Sequence, residues 1–441
     1  MKVLKFGGTS VGSAERMQNV VRLISDGETK IVVLSAMSGT TNSLIEFTNY
    51  LRNGNPNGAC EHANQLLDKY RVTIKGLYET EEAASAATAK VNEIFAHLRS
   101  LAFKPLDMNL EKEIVAQGEI ISTNMVTLYM REKGLDVELL NSLEFMRLGV
   151  NGEPDLAYIR THLLPLIDTT AQGRIYIAQG FICMNDEGHI DNLQRGGSDY
   201  TATLIGAAVN AEEVQIWTDI DGMHNNDPRI VENTSPVHHL HFEESAELAY
   251  FGAKILHPTC ILPAKLTGTP VRLLNTMDPA AEGTLIDNNL TCPGEIKAIA
   301  AKENITAIKI KSDRMLLAYG FLRKVFEIFE TYKTSIDMIC TSEVGVSVSI
   351  DDDRKLEQIT SELQKYGTVT IDKDMCIICV VGDLNWENTG FEARAMAAMK
   401  DIPVRMVSYG GSNYNISFLV REEDKVRALR SLSSNIFNSN K

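Results

Sequence analysis

Short apolar runs alternate with amphipathic segments through the first 297 residues. Val3–Phe6, Ile31–Ala36, Val137–Leu140, Arg174–Ile182, Val214–Trp217 and Val271–Leu273 are predicted strands. Ala14–Ser25, Thr41–Arg52, Leu110–Lys133, Tyr200–Asn210 and Glu243–Leu256 repeat apolar residues at three- and four-residue steps and are predicted helices. Strands alternating with helices in this way imply an α/β fold, a mainly parallel sheet sandwiched by helices. Residues 54–104 have helical composition and few turn signals. They read as a helical insertion with no evident chemistry.

Asn, Thr, Pro and Gly cluster over Asn288–Glu295, and the texture changes there. A strand at Ile305–Lys311, a helix at Phe321–Tyr332, strands at Ser335–Cys340 and Val344–Ile350, a helix at Arg354–Tyr366 and a strand at Thr368–Asp372 follow. The order then recurs as Cys376–Val381, Phe391–Met399, Val404–Ser408, Asn415–Val420 and Glu422–Leu432. Gly320-Phe321 and Gly390-Phe391 open equivalent helices seventy residues apart. The pattern is a duplicated α+β unit of βαββαβ type. Three domains are expected: 1–297, 298–372 and 373–441.

Composition narrows the function. The 441 residues carry a formal net charge of −15, which argues against general nucleic-acid binding. No apolar stretch reaches the ~20 residues of a membrane span, and no leader precedes the first strand, so a cytoplasmic protein is expected. Seven scattered cysteines suit reduced thiols. Cys376 and Cys379 fall three apart on a predicted strand, hence on opposite faces, and read as core residues rather than a metal pair. His238-His239-Leu240-His241 lacks metal-ligand spacing and reads as a solvated loop before a helix. No metal site is predicted.

The chemistry concentrates in loops that follow strands, where open α/β sheets bind ligands. Gly7-Gly8-Thr9-Ser10 follows Val3–Phe6, with Lys5 beside it; Ser38-Gly39-Thr40-Thr41 follows the second strand; Thr218-Asp219 follows Val214–Trp217. A glycine loop opening a helix offers N–H groups and a positive dipole end to an anion. The first loop lacks Walker A spacing. Arg195-Gly196-Gly197-Ser198-Asp199 sets an arginine, a hydroxyl and a carboxylate ahead of another helix, although Asp199 alone could be a helix cap. Glu119 lies among apolar neighbours on a long helix, where a carboxylate needs a partner. Lys254 falls near the end of the predicted helix Glu243–Leu256, where a cation suits the dipole.

Taken together, Lys5-Phe6-Gly7-Gly8-Thr9-Ser10, Gln117-Gly118-Glu119, Arg195–Tyr200, Trp217-Thr218-Asp219 and Phe251-Gly252-Ala253-Lys254-Ile255-Leu256-His257-Pro258 resemble aspartate kinases over essentially the whole chain. The duplicated unit resembles the paired ACT domains of those enzymes, and the length leaves no room for the fused dehydrogenase of bifunctional members. The resemblance implies ATP and Mg²⁺ as cosubstrate and cofactor, with Lys5 and Asp199 catalytic. It implies that Lys5, Phe6, Gly7, Gly8, Thr218, Asp219, His224, Arg229 and Lys254 bind ATP, and that Thr41, Glu119, Arg195 and Ser198 bind aspartate. His224 stands where related enzymes often carry tyrosine. Ser335–Val344 is similar to the effector segment of lysine-inhibited members. Met315, Gly320, Phe321, Leu322, Ser335, Asp337, Ser342 and Glu343 are then the lysine-binding candidates, and a homodimer through the ACT domains is expected.

The chemistry of the reaction agrees with this residue set. The side-chain carboxylate of aspartate, with an ordinary pKa near 3.9, is ionised at neutral pH and needs no general base. Positioning and charge neutralisation suffice, and no histidine sits in the main motif loops, Gly7–Ser10, Ser38–Thr41, Arg195–Asp199 and Thr218-Asp219. Two other readings stay open at this point. One is a different amino-acid kinase, acting on glutamate, acetylglutamate or a nucleotide. The other is an amino-acid-sensing protein with an inactive kinase domain.

Overall fold

The first two apolar runs become parallel neighbours. β1 (Lys2–Phe6) pairs in register with β2 (Lys30–Leu34), and between them α1 (Ala14–Ile24) starts at Ser13, whose hydroxyl accepts from the Arg16 N–H. β2 is buried along its whole length, as a strand covered by helices on both faces must be. The computed structural model describes residues 1–441 other than 169, 194–195, 253–255, 291–293, 312–318 and 438–441. It divides into two compact units, Met1–Gly222 with Leu256–Asn288, and Met223–Ile255 with Asn289–Lys441. Residues 223–255, placed by sequence in the first domain, therefore pack with the second unit.

In the first unit the chain continues through α2 (Thr40–Arg52), α3 (Pro56–Leu77), α4 (Glu81–Leu101) and α5 (Met108–Glu132). Next come β3 (Val137–Leu139), α6 (Ser142–Phe145), α7 (Leu156–Leu163), β4 (Ile175–Gln179), β5 (Ile182–Met184) and β6 (Ile190–Asn192). α8 (Gly197–Val209) and β7 (Val214–Thr218) follow. β8 (His239–His241) and α9 (Phe242–Tyr250) belong to the second unit, after which α10 (Pro258–Thr267), β9 (Val271–Asn275) and β10 (Thr284–Asp287) complete the first. Its strands lie in the order β3-β4-β2-β1-β7-β9-β10, parallel except where β10 meets β9. This is the expected α/β sheet. The insertion proves to be a helical pair built into the main core, where Ala63, Tyr70 and Ile74 of α3 and Phe95 of α4 join Phe6, Val32 and Ile121.

Three sequence expectations change. The run Arg174–Ile182 breaks into β4 and β5 at Gly180-Phe181, where Phe181 takes φ +69°. The helix predicted over Glu243–Leu256 ends at Tyr250, because Gly252 turns at φ +115° with its α-carbon close against the Ala301 carbonyl. Lys254 lies outside the described residues. The histidine cluster is a strand and a cap rather than a solvated loop: Nδ1 of His241 accepts from the Glu243 N–H, Oε2 of Glu244 accepts from the His241 N–H, and the His241 ring stacks on Tyr414.

The rest of the second unit runs β11 (Ile296–Lys311), α11 (Phe321–Thr331), β12 (Met338–Ser342), β13 (Gly345–Ile350), α12 (Leu356–Leu363), β14 (Thr368–Gly382), α13 (Phe391–Ala398), β15 (Met406–Tyr409), β16 (Asn415–Arg421) and α14 (Lys425–Ile436). One antiparallel sheet holds all six strands, in the order β12-β13-β11-β14-β16-β15. β11 and β14 each serve both α+β modules. Ile308 and Ile310 pack with Phe321, Val346 and Ile359, whereas Ile296 and Ile299 pack with Cys376, Phe391 and Phe418. The changeover lies at a register break, where Asn304 and Asp374 both take left-handed backbone. The stretch preceding the first module thus completes the second. Cys376 and Cys379 are buried on β14, and burial pushes the Cys376 thiol up to about 12.

Candidate active site

The glycine loop behind β1 and the turn behind β2 touch. The Ser35 N–H donates to the Phe6 carbonyl and the Ser38 N–H to the Gly8 carbonyl, at 3.2 and 3.1 Å. A β-carbon on Gly8 would stand 2.8 Å from the Ala36 carbonyl oxygen, so only glycine fits there. Lys5 Nζ lies 2.6 Å from Asp199 Oδ1, with both side chains nearly buried. Asp199 is not the cap of α8: that position belongs to Gly196, at φ +74° and without a side-chain cap bond. Asp199 sits in the first turn and is spent on Lys5 instead. Its neighbour Ser198 accepts from the Ser35 hydroxyl at 3.0 Å. The start of α8 is thereby tied to the ends of both β1 and β2.

Glu119 enters the same cluster from α5. It is buried, and its Oε1 accepts from the Ala36 N–H at 3.1 Å while Oε2 has no partner among the described residues. Burial pushes its carboxyl up to about 8, and the Ala36 N–H only partly offsets this. Among the described residues no cation is paired with it. Thr41, half-buried in the first turn of α2, stands in the turn that Glu119 holds.

On the other side of β1, Thr218 ends β7 and Asp219 follows it. The Phe6 ring stacks on Trp217 at 5.6 Å between centroids. A small cleft there is lined by Thr9, Ser10, Arg16, Asp219 and Thr276, with the Ser10 and Thr276 hydroxyls 2.9 Å apart. Lys5, Phe6, Gly7, Gly8, Thr41, Glu119, Ser198, Asp199, Thr218 and Asp219 thus share the carboxyl-end edge of one sheet. His224 and Arg229 belong to the second unit. His224 Nδ1 is 2.8 Å from the Thr234 hydroxyl, and the exposed Arg229 is paired with Asp227 at 2.7 Å. Arg195, Lys254 and Met315 lie outside the described residues.

In the effector segment Asp337 already holds a cation. Lys302 Nζ, from β11, is 2.7 Å from Asp337 Oδ1 and 2.9 Å from Asp351 Oδ2. The Tyr250 hydroxyl donates to the same Asp337 oxygen at 2.9 Å, and Lys302 lies 4.3 Å from the Tyr250 ring centre. The Asp337 side chain is fully buried and its Oδ2 has no partner among the described residues. Gly320 caps α11, Phe321 is buried beneath it, and Leu322, Ser335, Ser342 and Glu343 are exposed.

Sequence reasoning missed the residues that support this arrangement. Ser35 and Ala36 were read only as the end of a strand. Lys302 and Tyr250 carry no motif, and pairing with Asp337 requires residues 35 and 87 positions away to meet. Lys69 and Tyr70 sat in the insertion without apparent chemistry, yet Tyr70 OH is 2.8 Å from the Thr40 hydroxyl and Lys69 Nζ donates to the Ser38 carbonyl at 2.6 Å. The helical period alone gives no hint of which turn these side chains meet.

Residues 1–275 match the amino acid kinase family, and residues 378–436 match the ACT domain. The lysine-sensitive aspartokinase 3 of Escherichia coli is 32% identical, over 99% of both chains. A crystal structure of E. coli aspartokinase III in complex with lysine and aspartate (T-state) superposes with a TM-score of 0.81 at 32% identity, covering 99% of each chain. The same enzyme in complex with aspartate and ADP (R-state) gives a TM-score of 0.82 at 31% identity, covering 99% of this chain and 100% of the other.

Proposed function

Because this chain belongs to the amino acid kinase family and, within it, to the ATP-dependent aspartokinases, we propose that it phosphorylates the side-chain carboxylate of L-aspartate. An oxygen of the β-carboxylate forms a bond to the γ-phosphorus of MgATP. The bond from that phosphorus to the β,γ-bridging oxygen breaks, and its electron pair leaves with ADP. The product is 4-phospho-L-aspartate. The observation that carries the reading is Glu119: a buried carboxyl with one unpartnered oxygen, in the cluster that contains the Lys5–Asp199 pair. The α-ammonium of an amino acid supplies the missing cation, and Arg195 takes the α-carboxylate. Thr41 and Ser198 complete the acceptor contacts, and the β-carboxylate is left to face the phosphoryl group.

Lys5 neutralises charge as the phosphoryl group moves, held in place by Asp199, while the loop N–H groups of Gly7 and Gly8 meet phosphate oxygens. Lys254, Thr218 and Asp219 serve the nucleotide. Mg²⁺ enters the reaction with the nucleotide, as MgATP, whose phosphate oxygens are among its ligands. Coupled ADP-release assays test the reading. Aspartate supports turnover, glutamate and N-acetylglutamate do not, and Lys5→Met lowers kcat by about 10²–10³. Equal turnover with glutamate, or a near-normal Lys5→Met enzyme, defeats it.

Feedback inhibition by lysine, and a homodimer formed through the ACT modules, complete the proposal. The lysine-sensitive relative and its lysine complex support the first part. So does Asp337, a buried carboxylate that already accepts one primary ammonium and keeps a second oxygen unused.

A further inference from the structure

α2 begins without a cap of its own. Gly39 stands at its N-cap with φ +81° and no side-chain oxygen to accept the first helical N–H groups. The turn Met37–Thr40 leads straight into the acceptor residue Thr41, so its position must be set from outside. α5 supplies one side: Glu119 accepts the Ala36 N–H, and the bare α-carbon of Gly118 lets the helix approach so closely that a β-carbon would stand 2.8 Å from that of Ala36. α3 supplies the other. Lys69 donates to the Ser38 carbonyl, Tyr70 shares a hydrogen bond with the Thr40 hydroxyl, and the Thr73 hydroxyl lies 3.8 Å from the Met37 sulfur. Positions 69 and 73 share a helix face, so one stretch of one helix grips three residues of the turn. Tyr70 and Thr40 are both fully buried, and Thr40 is the phenol hydroxyl's one hydrogen-bond partner among the described residues.

We infer that α3 is the clamp that orients the aspartate-binding turn, with Tyr70 as its central positioning residue. The inference rests on the function proposed above. Tyr70 does not touch substrate; it fixes Thr40, and through Thr40 it aims Thr41 toward the region governed by Glu119. Removing the phenol oxygen leaves a buried threonine hydroxyl unanswered and loosens the turn at its Thr40 end, whereas the Ser38 N–H keeps its bond to the Gly8 carbonyl and the cleft at Ser10, Asp219 and Thr276 lies on the other side of β1. The effect therefore falls on the acceptor substrate rather than on ATP.

The test is steady-state kinetics on the full chain carrying Tyr70→Phe, Thr40→Val, both together, and the surface variant Lys69→Met. Tyr70→Phe raises KM for aspartate about fivefold, more than it lowers kcat, and leaves KM for ATP within twofold. Thr40→Val does the same, and the double variant is no worse than the poorer single one, because both remove the same contact. Lys69→Met raises KM for aspartate about twofold and decides the matter should Tyr70→Phe not fold. An unchanged KM for aspartate, a parallel rise in both KM values, or additive effects in the double variant overturns the inference. Wild-type protein without aspartate-dependent turnover instead removes the reading beneath it, and the inference with it.

Discussion

Glu119 is half answered: one oxygen has a backbone donor and the other has no partner among the described residues. In the free protein burial holds its carboxyl at about 8, far above an unfolded glutamate near 4.3. Between those values the folded state keeps a proton that the unfolded state has shed. Stability from this group is therefore fully present below the unfolded pKa and is lost as pH rises through about 8. Melting temperatures measured from pH 5 to 9 should fall more steeply for the wild type than for Glu119→Gln. Aspartate brings an ammonium to the same oxygen and favours the ionised form, so KM for aspartate should drop as pH approaches 8 from below. Glu119→Gln should flatten that profile and lower kcat/KM for aspartate about 10- to 100-fold, the worth of a hydrogen bond to a charged group. A pH profile identical in wild type and variant would separate Glu119 from the ammonium.

At the scale of elements, β14 shows most clearly what a periodic pattern conveys and what it hides. The runs Thr368–Asp372 and Cys376–Val381 are legible as strands, and the residues between them look like a connection. In space they form one strand bent at Asp374, whose φ of +55° is a conformation that costs a side-chain-bearing residue about 1 kcal/mol. Asp374→Gly should raise the urea midpoint by roughly 0.5–1 kcal/mol in stability, and a lowered midpoint would mean that the aspartate side chain, not the backbone, matters at the bend. The parallel sheet, the ligand loops at its carboxyl edge and the repeated α+β order were readable because each rests on local spacing. The partnership of α3 with the turn at 37–40 was not, because a buried tyrosine at position 70 looks like any core aromatic. The early end of α9 was hidden for a similar reason. Gly252 stops the helix by its close approach to Ala301, almost fifty residues away in sequence.

For the molecule as a whole, the formal charge of −15 coexists with a nearly buried Lys5 at the sheet edge, matched locally by Asp199. Regulation, on the reading proposed here, acts through a unit whose key carboxylate is already engaged by Lys302. Lysine added to the aspartate-dependent assay should inhibit at millimolar concentrations, and Asp337→Asn should abolish that inhibition. Persistent inhibition of the variant would move the effector elsewhere. The shared use of β11 and β14 also sets a timetable for the growing polypeptide. Residues 296–302 leave the ribosome long before residues 375–382, yet these two stretches lie side by side in the finished sheet. One module is thus nested inside the other, and the outer one stays open, with an unpaired edge, until the inner one has been made and the chain has doubled back past it.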